Sequence, residues 1–170
     1  ISNELHAPLT YKGKIFTPIL SLGEKAHSVS IVVTAASKGW NIAGLKCAMI
    51  VTQDAKLFAR LSEMPLAVHY RSSLLGAFAT AVAFSDGGPW LDDVVSQLDE
   101  NRHLIKNLLS AKLPSVRYHL PDNGYLAWLD VEALNLGEDP SKVLLEKGRV
   151  AFNAGHTFGA QTSQYVRLNF

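Results

Sequence analysis

The tightest constraint on this chain is the stretch Ser30–Lys46. Ile31, Val32 and Val33 form a short β-branched run, the pattern of a buried strand. It gives way at once to the small residues Ala35, Ala36 and Ser37, and then to a single lysine, Lys38. In open α/β sheets, ligands sit just past the carboxyl ends of strands. Lys38 therefore stands where reactive side chains are presented. Gly39 and Gly44 are expected to let the backbone run close to a ligand, and Lys46 returns a second positive charge. A second apolar run, Leu45–Val51, follows after about ten residues. So short a connection has no room for a helical crossover, and the two strands are expected to pair antiparallel.

Composition narrows the functional classes. The 170 residues suffice for one domain with a real core, or for parts of two. With 48% hydrophobic and 18% charged residues the chain is globular in type and not disordered. A net charge of +1 gives no argument for a nucleic-acid or strongly anionic partner. The lone Cys47 excludes an internal disulfide framework and fits a reducing cytosol; lying in an apolar run, it reads as a buried, inert thiol. No apolar run is long enough to span a bilayer, and no signal-peptide pattern is present. The six histidines show no metal-ligand spacing, so no metal site is expected. The chain begins at Ile1 and stops at Phe170 inside strand-like runs, and is expected to be a piece of a longer protein.

In chain order, Ile1–His6 reads as a strand end and a loop, and Tyr11–Gly23 as irregular. Asp54–Met64 reads as a helix, with Thr52 or Asp54 near its start and Pro65 after it. Ser72–Ser85 is apolar nearly all round and is expected to form a deeply buried helix, ended by Gly87-Gly88. From Pro89, apolar residues recur at helical spacing to about Leu113, where Pro114 stops them; such a helix is roughly 40 Å long. A domain boundary is placed near Gly87, giving segments 1–87 and 88–170. Beyond it, Ser115–His119, Tyr125–Val131, Val150–Asn153 and Tyr165–Phe170 read as strands. Asp139-Pro140 opens a short helix that Gly148 closes. Trp90 and Trp128 read as core residues.

The residues alone leave two readings of Lys38 open: a solvated loop lysine, or a Schiff-base lysine of the kind carbonyl and pyridoxal chemistry needs at the mouth of a sheet. The whole run Ala36-Ser-Lys-Gly-Trp-Asn-Ile-Ala-Gly-Leu-Lys46 resembles the lysine signature of class I/II aminotransferase-like, pyridoxal-phosphate (PLP) enzymes. It is most similar to their cystathionine β-lyase branch, the MalY/PatB type. The segments Gly88-Pro-Trp-Leu-Asp92, Gly124-Tyr-Leu-Ala-Trp-Leu-Asp130, Gly155-His-Thr-Phe-Gly159 and Tyr165-Val-Arg-Leu-Asn169 carry the resemblance along the chain.

The resemblance implies an α/β fold: the later part of the large domain of an aspartate-aminotransferase-like (fold type I) PLP enzyme, plus most of its small C-terminal α+β domain. It implies PLP as cofactor, a small amino-acid substrate, a homodimer and a cytoplasmic enzyme. Lys38 would bind the cofactor and move the substrate α-proton. Lys46, where the signature usually has arginine, would pair with the cofactor phosphate, helped by Thr34 or Ser37. Asn3 stands where the family has the aspartate facing the pyridine nitrogen, and an amide cannot hold that proton by charge. His6 falls where the family places a residue near the cofactor's phenolic oxygen. Arg167 would clamp the substrate α-carboxylate, although a strand arginine by itself reads more often as an edge ion pair. The activity implied is a carbon–sulfur β-lyase acting on cystathionine or similar conjugates and giving pyruvate, ammonia and a thiol. An aminotransferase, or a non-catalytic regulator on the same scaffold, are the alternatives.

Overall fold

A computed structural model describes all residues from Ile1 to Phe170. The chain divides into two compact units, Ile1–Val95 and Ser96–Phe170.

The first unit is built on a three-stranded sheet of β1 (Ser2–Asn3), β2 (Val32–Thr34) and β3 (Met49–Val51), in that spatial order. β1 runs parallel to β2, with Asn3 opposite Val33. β3 runs antiparallel to β2, as the short connection requires, with Thr34 opposite Met49. β3 is shorter than the apolar run suggests, because Ala43–Leu45 forms a 3-10 turn and Lys46 then takes a left-handed conformation with φ of 52°. One short helix, α1 (Glu24–His27), precedes β2, and three follow β3 before the units divide: α2 (Ala55–Ser62), α3 (Leu66–Tyr70) and α4 (Leu74–Asp86). Asp54 caps α2 by accepting the Leu57 N–H at 2.8 Å. α3 has no counterpart in the sequence reading; it is one turn after Pro65.

α4 forms over nearly the expected residues but is not deeply buried. Only the side bearing Gly76, Thr80 and Ala83 is covered. Leu74, Leu75 and Phe78 are 73%, 70% and 65% exposed. A helix apolar on every side needs neighbours on every side, and the first unit supplies them on one. Trp90 is likewise half exposed and not a core residue.

The long helix α5 (Gly88–Lys112) contains the division between the units. The second unit is an antiparallel sheet of β4 (Arg117–Tyr118), β5 (Leu126–Asp130), β6 (Asn153–Ala154) and β7 (Tyr165–Asn169), in the order β4-β5-β7-β6. β6 lies later than the expected run Val150–Asn153. Asp139 caps α6 (Pro140–Gly148), accepting the N–H groups of Ser141 and Lys142. Arg149, not Gly148, takes the left-handed position that ends it. Alternation along β5 and β7 turns Ala127, Leu129 and Val166 inward. With Val116 and Val131 they form the core, against which Ile105, Leu109 and Leu144 pack. No helix is long and apolar enough to cross a membrane.

Candidate functional site

Lys38 sits in a tight turn directly after β2. Four contacts around it fix that turn. The Trp40 N–H closes it onto the Ala36 carbonyl at 3.0 Å. The Trp40 indole N–H donates to the Gly87 carbonyl at 2.9 Å, and its ring meets Phe84 edge-on at 4.9 Å. A Cβ on Gly39 would come within 3.1 Å of the Pro8 side chain, so glycine is what lets the turn settle there. The close approach at Gly39 is thus to protein and not to a ligand, and Gly44 stands in open space.

Beside this turn is a cavity of about 470 Å³. Ser37, Lys38, Lys46 and Arg71 are on its wall, with Cys47 and Ser72. Cys47 is therefore half-buried at a cavity and not sealed in a core. No carboxylate lines the space. Of the residues the sequence singles out, the structure brings together Ser37, Lys38 and Lys46. Arg71 escapes a sequence reading, because it is the residue that ends α3 and its only signal there is its charge.

The other candidates are elsewhere. Thr34 is on β2, paired with Met49. Asn3 is exposed on β1, and its Oδ1 accepts the Leu5 N–H at 3.2 Å, which leaves the Nδ2 group as a donor. His6 caps the 3-10 turn Ala7–Leu9. None of these three lies on the cavity wall.

Arg167 is on β7 of the second unit, opposite Trp128 on one side and Asn153 on the other. Its guanidinium is held from two directions. Nη2 donates to the Asn153 Oδ1 at 3.1 Å, and Cζ lies 4.7 Å from the centre of the Phe158 ring. Phe158 is held edge-on by Trp128, which stacks on Tyr165; both pairs are 5.3 Å apart. The Arg167 Nε is buried and has no hydrogen-bond partner. A buried donor without an acceptor is costly, and a carboxylate is the acceptor that a guanidinium edge fits best.

Asp130, at the end of β5, has a structural role. Burial pushes its carboxyl up, but the Glu132 N–H, the Arg117 guanidinium and Tyr165 outweigh that and hold it below the usual carboxylate range. No group of three or more His, Cys, Asp or Glu side chains comes together in a way that could hold a metal ion.

The family model described as "Aminotransferase class I and II" matches residues 1–170. The chain belongs to that family. Among curated members, cystathionine beta-lyase of Corynebacterium glutamicum is 38% identical over all of this chain and 45% of its own length. Cystathionine beta-lyase PatB of Bacillus subtilis is 36% identical over 99% of this chain and 44% of its own. The crystal structure of cystalysin from Treponema denticola, which contains a pyridoxal 5'-phosphate cofactor, superimposes with a TM-score of 0.91 at 26% identity, over 99% of this chain and 43% of that one. The chain thus spans less than half the length of the relatives it matches. Its fold is that of part of a fold type I PLP enzyme.

The aminotransferase-family cavity fits such a cofactor by the chemistry of its donors. An amine that can bond an aldehyde, a serine hydroxyl and unopposed cations are what an aldehyde-bearing phosphate monoester requires.

Proposed function

We propose that the protein containing this chain is a PLP-dependent carbon–sulfur β-lyase, acting on cystathionine or a similar cysteine conjugate and releasing pyruvate, ammonia and a thiol. The observation that carries this reading is the cavity at the end of β2, where Lys38 stands among cations and hydroxyls with no carboxylate. The cystathionine β-lyase names of the relatives support the reaction class.

The roles follow from the residues. Lys38 Nζ would hold the cofactor by its aldehyde carbon, and as a free amine it would take the substrate α-proton. Lys46 and Ser37 hold the phosphate. Arg167, whose Nε has no hydrogen-bond partner within the chain, receives the α-carboxylate, so the substrate is gripped at a group that does not react. The bound cofactor supplies an electron sink that lets the β-thiolate depart. Asn3, through Nδ2, can donate a hydrogen bond to a ring nitrogen but cannot keep it protonated by charge. The working enzyme is read as a cytoplasmic homodimer without a metal.

The test is made on the full-length protein. PLP should produce a visible absorption band that Lys38→Ala abolishes, and cystathionine should yield pyruvate with no keto acid present. A requirement for a keto-acid acceptor would make the protein an aminotransferase instead. Asn3 favours a third outcome, a regulator with little turnover: Asn3→Asp should raise turnover sharply if the protein is an enzyme held back at this position.

A further inference from the structure

The cavity wall holds one cation more than the family resemblance assigns to it. Arg71, Lys46 and Lys38 all line the same space, and none of them forms an ion pair. Arg71 is 25 residues past Lys46, yet the backbone ties the two segments together. The Ser73 N–H, two residues beyond Arg71, donates to the Lys46 carbonyl at 3.2 Å. Three residues on, Gly76 is pressed against the same segment. A Cβ there would run into the Leu45 carbonyl oxygen and stand 3.0 Å from the Cys47 Cβ. The left-handed turn at Lys46 and the chain from Arg71 to Gly76 are therefore one packed unit, which two backbone contacts hold in place whatever the side chains do.

The charge balance gives this arrangement a purpose. A phosphate monoester carries roughly −1.5 to −2 charges at neutral pH. Lysine 46 offers one point charge and no planar fork. A Lys38 amine that has shed its proton to react adds none. One cation is therefore missing, and Arg71 is the residue on the wall that can provide it, with the bidentate geometry that Lys46 lacks.

We propose that Arg71 is the second cation of the cofactor-phosphate site, so that Lys46 and Arg71 together hold the dianion. The proposal rests on the PLP reading and adds to it a binding residue and a reason why lysine suffices at position 46.

Pyridoxal, which has the aldehyde but not the phosphate, separates the two claims. The dissociation constants of PLP and pyridoxal are measured on the full-length protein by titrating the visible absorption band. Arg71→Gln should weaken PLP about tenfold or more and leave pyridoxal unchanged. Arg71→Lys should recover part of the loss, because it restores the charge and not the fork. The proposal is overturned if Arg71→Gln binds PLP like the wild type. It is also overturned if both ligands weaken equally, which would mark a general structural role. A wild-type protein that binds neither ligand would overturn the cofactor reading itself, and Arg71's role with it.

Discussion

The two units bury their apolar residues in opposite ways. In the second, one sheet face carries Val116, Ala127, Leu129, Val131 and Val166, all buried, with helices packed over them. In the first, Leu9, Tyr11, Val32, Ala35, Ala36 and Ala83 are buried, while the leucines and phenylalanines of α4 point outward. Hydrophobic burial is the main favourable term in folding. The second unit therefore gathers its buried apolar residues into one cluster, whereas the first carries its lysine turn on a scaffold in which much of α4 is still uncovered. The lysine turn of the first unit is held chiefly by single contacts, namely Trp40 on Gly87 and Gly39 on Pro8. Arg167 of the second is held by a stack of aromatic rings.

Paired truncations give the strongest test of this contrast. Leu129→Ala, in the second core, should cost about 2–4 kcal/mol in urea unfolding. Phe78→Ala, on the open side of α4, should cost less than about 0.5 kcal/mol in this chain. Equal costs would mean that α4 has a cover after all, and the comparison would fail. Acid titration is the next test. The Asp130 carboxyl is held below its unfolded value, so its contribution to stability is complete above about pH 4 and is lost as pH falls through the folded value. Asp130→Asn should flatten that acid limb of the second unit's unfolding curve.

The ring stack is tested through function. Phe158→Leu removes the face beneath the Arg167 guanidinium, worth about 1 kcal/mol, so KM should rise roughly fivefold with kcat little changed. A fall in kcat alone would place Phe158 at the chemistry and not beneath the clamp. Asp139→Ala removes the α6 cap and should cost about 1 kcal/mol, close to the effect of Asp54→Ala at α2; similar values would show that local capping does not distinguish the units. The smallest effect is expected at Tyr118. Burial pushes its hydroxyl up to about 12, and the hydroxyl has no hydrogen-bond partner. Tyr118→Phe should therefore be neutral or slightly stabilising, as measured by its urea midpoint.

Where local chemistry decides the structure, the sequence was informative. The span of β2 and the antiparallel return of β3 followed from a β-branched run and a short connection. The caps Asp54 and Asp139 marked their helices within a residue, because a carboxylate answering free N–H groups is a local event. Ser37, Lys38 and Lys46 fall on one wall because the short connection between β2 and β3 carries all three. What escaped depends on neighbours distant in sequence. The apolarity of α4 is plain in its residues, but whether anything covers it is not. Cys47 and Trp90 depart from the expectation for the same reason, since an apolar context shows what a residue could be packed against and not what is there. Arg71 reaches the cavity through the Ser73–Lys46 bond and the bare Cα of Gly76, neither of which leaves a mark in hydrophobic periodicity.

The anchoring of Trp40 has a practical consequence. Its indole is pinned to Gly87, and Trp40 is two residues from Lys38, so the chain carries a fluorophore fixed beside that lysine. Emission from that ring should register the arrival and departure of ligands at the lysine without any added label. Silencing Trp90 and Trp128 by substitution would leave one optical channel reading the turn alone.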